Sequence, residues 1–147
     1  MADFHDVWRQ LALAGALIAM TTLFHALVVA GAAALARALI GHAQGLWRTA
    51  RDAAALTSLG LVLMAAHAVE IWMWAMAFLR LERFADFEAA LYFAAVSYTT
   101  LGFGDVLLDP PWRLLSGACA ANGLLLFGLS AAVLVEMTIK LRVAGPR

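Results

Sequence analysis

The sequence predicts an all-α membrane protein, and three observations predict it. Of 147 residues, 65% are hydrophobic and only 14% are charged, far more apolar than a soluble domain of this length has use for. The apolar residues gather in long runs, and crossing a bilayer as a helix takes roughly 20 residues. Ten Lys and Arg are balanced by ten Asp and Glu, which removes the basic excess that nucleic-acid binding requires. Cys119 stands alone within an apolar run, so there is no disulfide framework and no cysteine pair for a metal. Its reading is a small buried residue.

The first run, Val7 to Ile40, is too long for a secretory signal, and Asp3 and Asp6 spoil a basic leader, so it is expected to stay in the protein. Arg37 is its sole arginine after Arg9, so it lacks the regular arginine spacing of a voltage sensor. Gly15, Ala19 and Gly31 suit close helix packing. Mid-run His25, near Thr21 and Thr22, reads as a helix–helix hydrogen bond. Gly41 to Asp52, with Gly41, Gly45, Arg48 and Arg51, reads as a short surface loop.

The second run, Ala53 to Leu79, carries His67 and Glu70 three residues apart on one face. A carboxylate at this depth is costly and marks a functional candidate. With His67 it forms either a proton-sensitive pair or a structural hydrogen-bonded one. A charged stretch, Arg80 to Glu88, follows. Ala89 to Tyr98 is then an apolar helix too short to span, which suits a re-entrant segment. Pro111 fits a helix start, so the third spanning run begins near Trp112 and reaches Leu141.

With the short helix returning to its own side, the chain makes three passes and its ends lie on opposite faces. Arg37, Arg48, Arg51, Lys140, Arg142 and Arg147 fall on one side, against Arg9, Arg80, Arg83 and Arg113 on the other. The basic excess places the C-terminus in the cytoplasm and the N-terminus outside a plasma (inner) membrane. Asp3, Asp6, Glu82, Asp86, Glu88, Asp105 and Asp109 lean outward, and Trp8, Trp47 and Trp112 sit near the interfaces.

Thr99 to Asp105 stands between the short helix and the prolines. Irregular backbone at membrane depth is tolerated only where protein buries it or it lines a watery path. Gly102 and Gly104 permit backbone conformations that align successive carbonyls. Such carbonyls can replace an ion's water shell when four loops meet on one axis. The C-terminal end of the short helix adds partial negative charge, and Asp105 and Asp109 at the mouth would concentrate cations.

Ser97-Tyr98-Thr99-Thr100-Leu101-Gly102-Phe103-Gly104-Asp105 resembles the Thr-Val-Gly-Tyr-Gly-Asp signature of the potassium-channel pore family, with its lead-in. The resemblance runs from about Phe78 to Leu141. Trp112-Arg113-Leu114 resembles the start of the family's inner helix, and Gly123, followed by Phe127-Gly128, stands where many members have a hinge glycine. Hinge and helix packing are both open for these glycines.

The resemblance implies a homotetramer in lipid with outer, pore and inner helices plus one extra N-terminal helix. K+ would be held by the carbonyls of Thr100, Leu101, Gly102 and Phe103, with Gly104 completing the filter. On this reading residues 1–41 are an accessory helix, 42–52 a cytoplasmic loop, 53–141 the pore domain and 142–147 a short tail. No catalysis, cofactor or nucleic-acid partner is implied. Leu101 and Phe103 depart from the commonest signature and are similar to variants in two-pore-domain channels; loss of the tyrosine hydroxyl implies faster inactivation or looser selectivity.

Some bacterial relatives carry Glu at the position of Val96, paired to the aspartate after the filter. Val96 cannot do this. Tyr92, one turn earlier, either hydrogen-bonds Asp105 or simply packs; Tyr92, Val96 and Thr99 are thus the filter's expected supports. Asn122 faces a cavity or a neighbouring helix. Glu136 forms a ring at the inner mouth, an i,i+4 pair with Lys140, or both. A nonselective cation channel and a non-conducting scaffold are the rival readings. Haem between His25 and His67 would leave the glycine-punctuated motif without a use. So little chain follows Leu141 that gating is expected at the filter, by protons, lipid or voltage.

Overall fold

The computed structural model describes residues 4–39, 46–81 and 83–143, with the side chains of 35–39 and 46 excepted. Asp3, Gly41, Gly45, Glu82, Arg147 and the Arg37 side chain, all used above, lie outside the described residues. Helix α1 covers Phe4–Leu39, α2 Leu46–Arg80, α3 Phe87–Tyr98 and α4 Arg113–Val143, the last preceded by a 3₁₀ turn at Pro110–Trp112. There is no strand among the described residues. Three of the helices are long and apolar enough to cross a membrane. At 12 residues, α3 is only about 18 Å long and cannot.

Two boundaries differ from the sequence reading. The described part of the expected 42–52 loop, Leu46 onward, is already helix α2. Its polar residues suit a helix that projects beyond the apolar layer. Arg48 Nε lies 3.7 Å from Asp52 Oδ2 at i,i+4, and Arg48 Nη2 donates to the Leu141 carbonyl at 3.0 Å. That bond satisfies a carbonyl left unpaired in the last turn of α4. Likewise α4 runs on through Val143, so the tail expected from residue 142 begins as helix.

The helix ends fix the topology. Arg9 of α1 lies over the Trp112 ring at 6.0 Å, and Arg83, just after α2, lies over the same ring at 5.4 Å. Thus α1 and α4 start at one end of the bundle, while α2 starts at the other, beside Leu141. Helix α3 enters from the Trp112 end and the chain returns to that end, which is the three-pass arrangement with a re-entrant segment. Asp86 starts α3 as its N-cap, accepting the Ala89 amide at 2.8 Å.

The core is the cradle around α3. Trp74, Ala75 and Phe78 of α2, Ala90, Phe93, Ala94 and Tyr98 of α3, and Leu115 and Cys119 of α4 are all buried. Phe93 meets Phe78 edge-on at 5.1 Å, a favourable aromatic geometry. Ala14 and Leu17 of α1 join the same cluster, so the division near residue 41 marks a sequence run and not a separate packing unit. At Gly123 the fit is closest: a β-carbon there would overlap the Tyr98 carbonyl oxygen and reach its carbon at 2.8 Å. Because the obstacle is backbone, Gly123→Val is expected to cost about 1–3 kcal/mol, measured as a lower Tm in detergent, whereas Gly128→Ala, with open space around it, leaves Tm unchanged.

Candidate functional site

Helix α3 ends where its own continuation caps it. Thr99 N donates to Ala95 O at 3.0 Å, Thr100 N to Ser97 O at 2.9 Å, and Leu101 N and Gly102 N to Val96 O at 3.0 and 3.2 Å. The Thr99 hydroxyl also donates to Ala95 O, at 2.7 Å. Val96 and Thr99 therefore support the segment through the backbone. The amides turn back to the helix, and the carbonyls of Thr100, Leu101, Gly102 and Phe103 accept no hydrogen bond among the described residues.

Backbone handedness alternates along the segment. Thr100, Gly102 and Gly104 have φ of 60°, 56° and 78°, while Leu101 and Phe103 between them stay at negative φ. Alternating mirror-image conformations rotate successive peptides so that their carbonyls face one side. The two glycines take this region freely. Thr100 does so at a cost of about 1–2 kcal/mol, and nothing in its residue type announced it. The whole segment from Thr99 to Asp105 lies exposed along one edge of the subunit.

Its end away from α3 is braced. The Tyr92 hydroxyl donates to Asp105 Oδ2 at 2.6 Å, the bonded arrangement of the two considered. Asp109 Oδ2 lies 3.7 Å from Arg83 Nη1, and Leu108 is buried beside the start of α4.

Behind Tyr98 lies a polar cluster between the helices. His67 does meet Glu70, Nδ1 to Oε2 at 3.0 Å, and His25 of α1 meets the other carboxylate oxygen at 2.8 Å. The Tyr98 hydroxyl donates to Glu70 Oε2. Ser130 Oγ of α4 lies 2.9 Å from His67 Nε2 and 3.2 Å from His25 Nε2. One layer further towards the Trp112 end, Asn122 Oδ1 accepts from Trp74 Nε1 at 3.0 Å and meets Thr21 Oγ1 at 2.8 Å. Asn122 therefore bridges helices.

Pairing His67 with Glu70 was readable from their spacing, and the helix–helix hydrogen bond expected of His25 is present, to Glu70; Tyr98 and Ser130 carried no signal. The ligand atoms of His25, His67 and Glu70 fall within 4.8 Å of one another, but hydrogen bonds among these residues already engage them. With centroids 5.1 Å apart and rings tilted by 35°, the two imidazoles leave no space for a porphyrin between them. Phe127 packs on His67 at 4.2 Å between centroids. A β-carbon added at Gly128 would meet nothing within 4 Å. At the far end Glu136 pairs with Lys140 at 2.6 Å, both exposed.

A family model described as "Ion channel" matches residues 55–140, which takes in α3, the exposed segment and nearly all of α4. The chain belongs to that family, the two-transmembrane, potassium-channel-type pore family of ion channels. No curated protein and no solved structure matches it. The channel's three long helices and its family make it a membrane protein.

In this channel Tyr92 and Asp105 set each other's ionisation. The Tyr92 hydroxyl holds the Asp105 carboxyl below the usual carboxylate range, and Asp105 in turn makes the Tyr92 phenol harder to ionise. A carboxyl with a lowered value in the folded protein stabilises it above the ordinary value, and that contribution is lost as pH falls through the lowered one. Tyr92→Phe should return Asp105 to the ordinary range. An acid titration of single-channel conductance is expected to show the loss of the Asp105 charge at higher pH in the variant than in wild type. Coincident curves would show that Asp105 does not sense Tyr92.

Proposed function

We propose that the chain is the pore-forming subunit of a potassium-selective channel, four copies surrounding one axis with Thr100 to Gly104 as the filter. The observation that carries this is the run of unpaired carbonyls on alternating-handed backbone, exposed at the edge of the subunit. Partial negative charge on four such oxygens per ring can replace a cation's hydration shell, and several rings in sequence let ions enter and leave. A K+ bound by Thr100, Leu101, Gly102 and Phe103 would need no side-chain charge and no catalytic step. Leu101 and Phe103 are more than half exposed in the single subunit, as expected of residues that a neighbouring copy covers.

The surrounding residues fit supporting roles. Asp105 and Asp109 would ring the outer mouth with negative charge, and Glu136 the inner one, in either case drawing cations in. An orientation with the C-terminus in the cytoplasm of an inner membrane follows from the arginine distribution. The second reading, a nonselective cation channel, is favoured by one feature: Phe103 lacks the hydroxyl that would tie the filter to its surroundings.

Purified protein in liposomes under opposed K+ and Na+ gradients distinguishes these readings. A reversal potential that follows K+ alone, with flux blocked by barium, is expected. A potential that follows both ions would replace the selective reading by the nonselective one, and absence of flux would leave a scaffold. Gly102→Ala, at φ 56°, forces a β-carbon into the left-handed region at about 1–2 kcal/mol. It should abolish selective flux and leave helix content and assembly intact by circular dichroism and size exclusion.

A further inference from the structure

Between the four helices, five side chains close a hydrogen-bonded ring with one branch. Glu70 Oε1 meets His25 Nδ1 at 2.8 Å, His25 Nε2 meets Ser130 Oγ at 3.2 Å, Ser130 Oγ meets His67 Nε2 at 2.9 Å, and His67 Nδ1 returns to Glu70 Oε2 at 3.0 Å. Tyr98 joins as the branch by donating to Oε2. Helices α1, α2, α3 and α4 all contribute. His25, Glu70 and Tyr98 have no exposure and His67 and Ser130 almost none, so water cannot make up a missing bond.

Each of these five contacts needs one hydrogen. A neutral imidazole brings one N–H, so the two histidines supply two, Ser130 and Tyr98 one each, and an ionised carboxylate none. Four hydrogens then face five contacts, and somewhere in the ring one lone pair opposes another. His67 Nδ1 also lies 3.1 Å from the Tyr98 oxygen; this is the third side of the triangle with Oε2 and shares its hydrogens. A fifth proton completes the ring.

Charge leads to the same composition independently. Without that proton the site carries one net negative charge at membrane depth, where isolated charge is costly. With it, one imidazolium balances one carboxylate. No lysine or arginine pairs with Glu70 among the described residues. The titratable groups facing the ring are His25 from α1, His67 and Glu70 from α2 and Tyr98 from α3; from α4, Cys119 stands beside Tyr98.

We propose that this ring is a binding site for a single proton, shared among His25, His67 and Glu70, and that its occupancy is coupled to the segment that follows Tyr98. The path is short. Tyr98 is the last residue of α3, its carbonyl rests on Gly123, and Thr99 and Thr100 follow it directly. Release of the proton removes one contact of the ring and loosens the tie between Tyr98 and the helices behind it. The conducting arrangement is favoured while the proton is bound and declines as it leaves in alkali. This coupling rests on the channel reading; the proton site itself does not.

The site is tested by 15N NMR of histidine-labelled full-length protein in nanodiscs, with His5→Gln and His42→Gln removing the other two histidines. One imidazolium equivalent per chain, spread over His25 and His67 at neutral pH and lost in alkali, is expected; two neutral imidazoles throughout would overturn the proposal. Ser130→Ala removes two of the five contacts and one hydrogen, so three hydrogens then serve three contacts. It should lower proton affinity about tenfold, moving the NMR midpoint down by about one pH unit, and an unmoved midpoint would also count against the site.

Potassium flux from liposomes should fall along the same titration, with the same displacement in Ser130→Ala. Flux that ignores the titration while NMR shows the proton would sink the coupling, and absence of flux at every pH would sink the channel reading and leave the NMR result standing. Stoichiometric zinc or another divalent metal in the purified protein, found by mass spectrometry, would replace the proton as occupant and overturn the proposal.

Discussion

A carboxylate with no exposure, Glu70, sits where four helices meet, and the arrangement of the bundle follows from having to satisfy it. In lipid there is no hydrophobic drive between helices, so their relative rotation is set by packing and by polar contacts. Both Glu70 oxygens are occupied, one by α1 through His25 and the other by α2 and α3 through His67 and Tyr98. An interhelical hydrogen bond in a membrane contributes on average only about 0.6 kcal/mol, whereas leaving one buried group without its partner costs about 1–3 kcal/mol. The asymmetry means that the cluster adds little to overall stability and strongly penalises any other rotation of the helices. Its main effect is register.

That register reaches the exposed segment through Tyr98. The side chain is fixed inside by Glu70, the carbonyl is pressed against Gly123, and the amides that follow turn back onto Ala95, Val96 and Ser97. At the other end Tyr92 holds Asp105. A stretch secured at both ends can sustain the unfavourable φ of Thr100, since strained backbone persists where the surroundings over-determine it. The amides of Thr99 to Gly102 are committed to α3 and the carbonyls of Thr100 to Phe103 are not. A loop held less firmly would turn those oxygens to whatever donor was near.

How much of this could be read from the sequence depended on range. The spanning runs and the short re-entrant helix were legible because length and hydropathy are local properties. The start of α2 was not: Arg48, Arg51 and Asp52 suit a loop and a protruding helix equally, and the Arg48 bond to Leu141 that favours helix joins residues far apart in the chain. At the filter candidate, Gly102 and Gly104 announced left-handed backbone, while β-branched Thr100 concealed it. Tyr92 came into view through the resemblance, one turn before Val96, where some relatives hold a Glu bonded to the aspartate; bond and packing stayed open until the contact with Asp105 was seen. Ser130 and His25, 105 positions apart, share the Glu70 ring only through the rotation of α4 against α1, which no pattern within either helix encodes.

The first helix is where this limit matters most. The family match covers residues 55–140 and so leaves α1 out, and the sequence alone made it an accessory. The packing ties it closely to the matched unit. His25 supplies the partner of Glu70 Oε1, Thr21 meets Asn122, and Arg9 stacks on Trp112 at the end where α4 begins. Stripped of α1, the matched unit would expose half of a buried carboxylate to lipid, where nothing can donate to it. Glu70 of α2 and Asn122 and Ser130 of α4 meet His25 and Thr21 of α1, so α1 belongs to the same core, and α3 is oriented by all three long helices together.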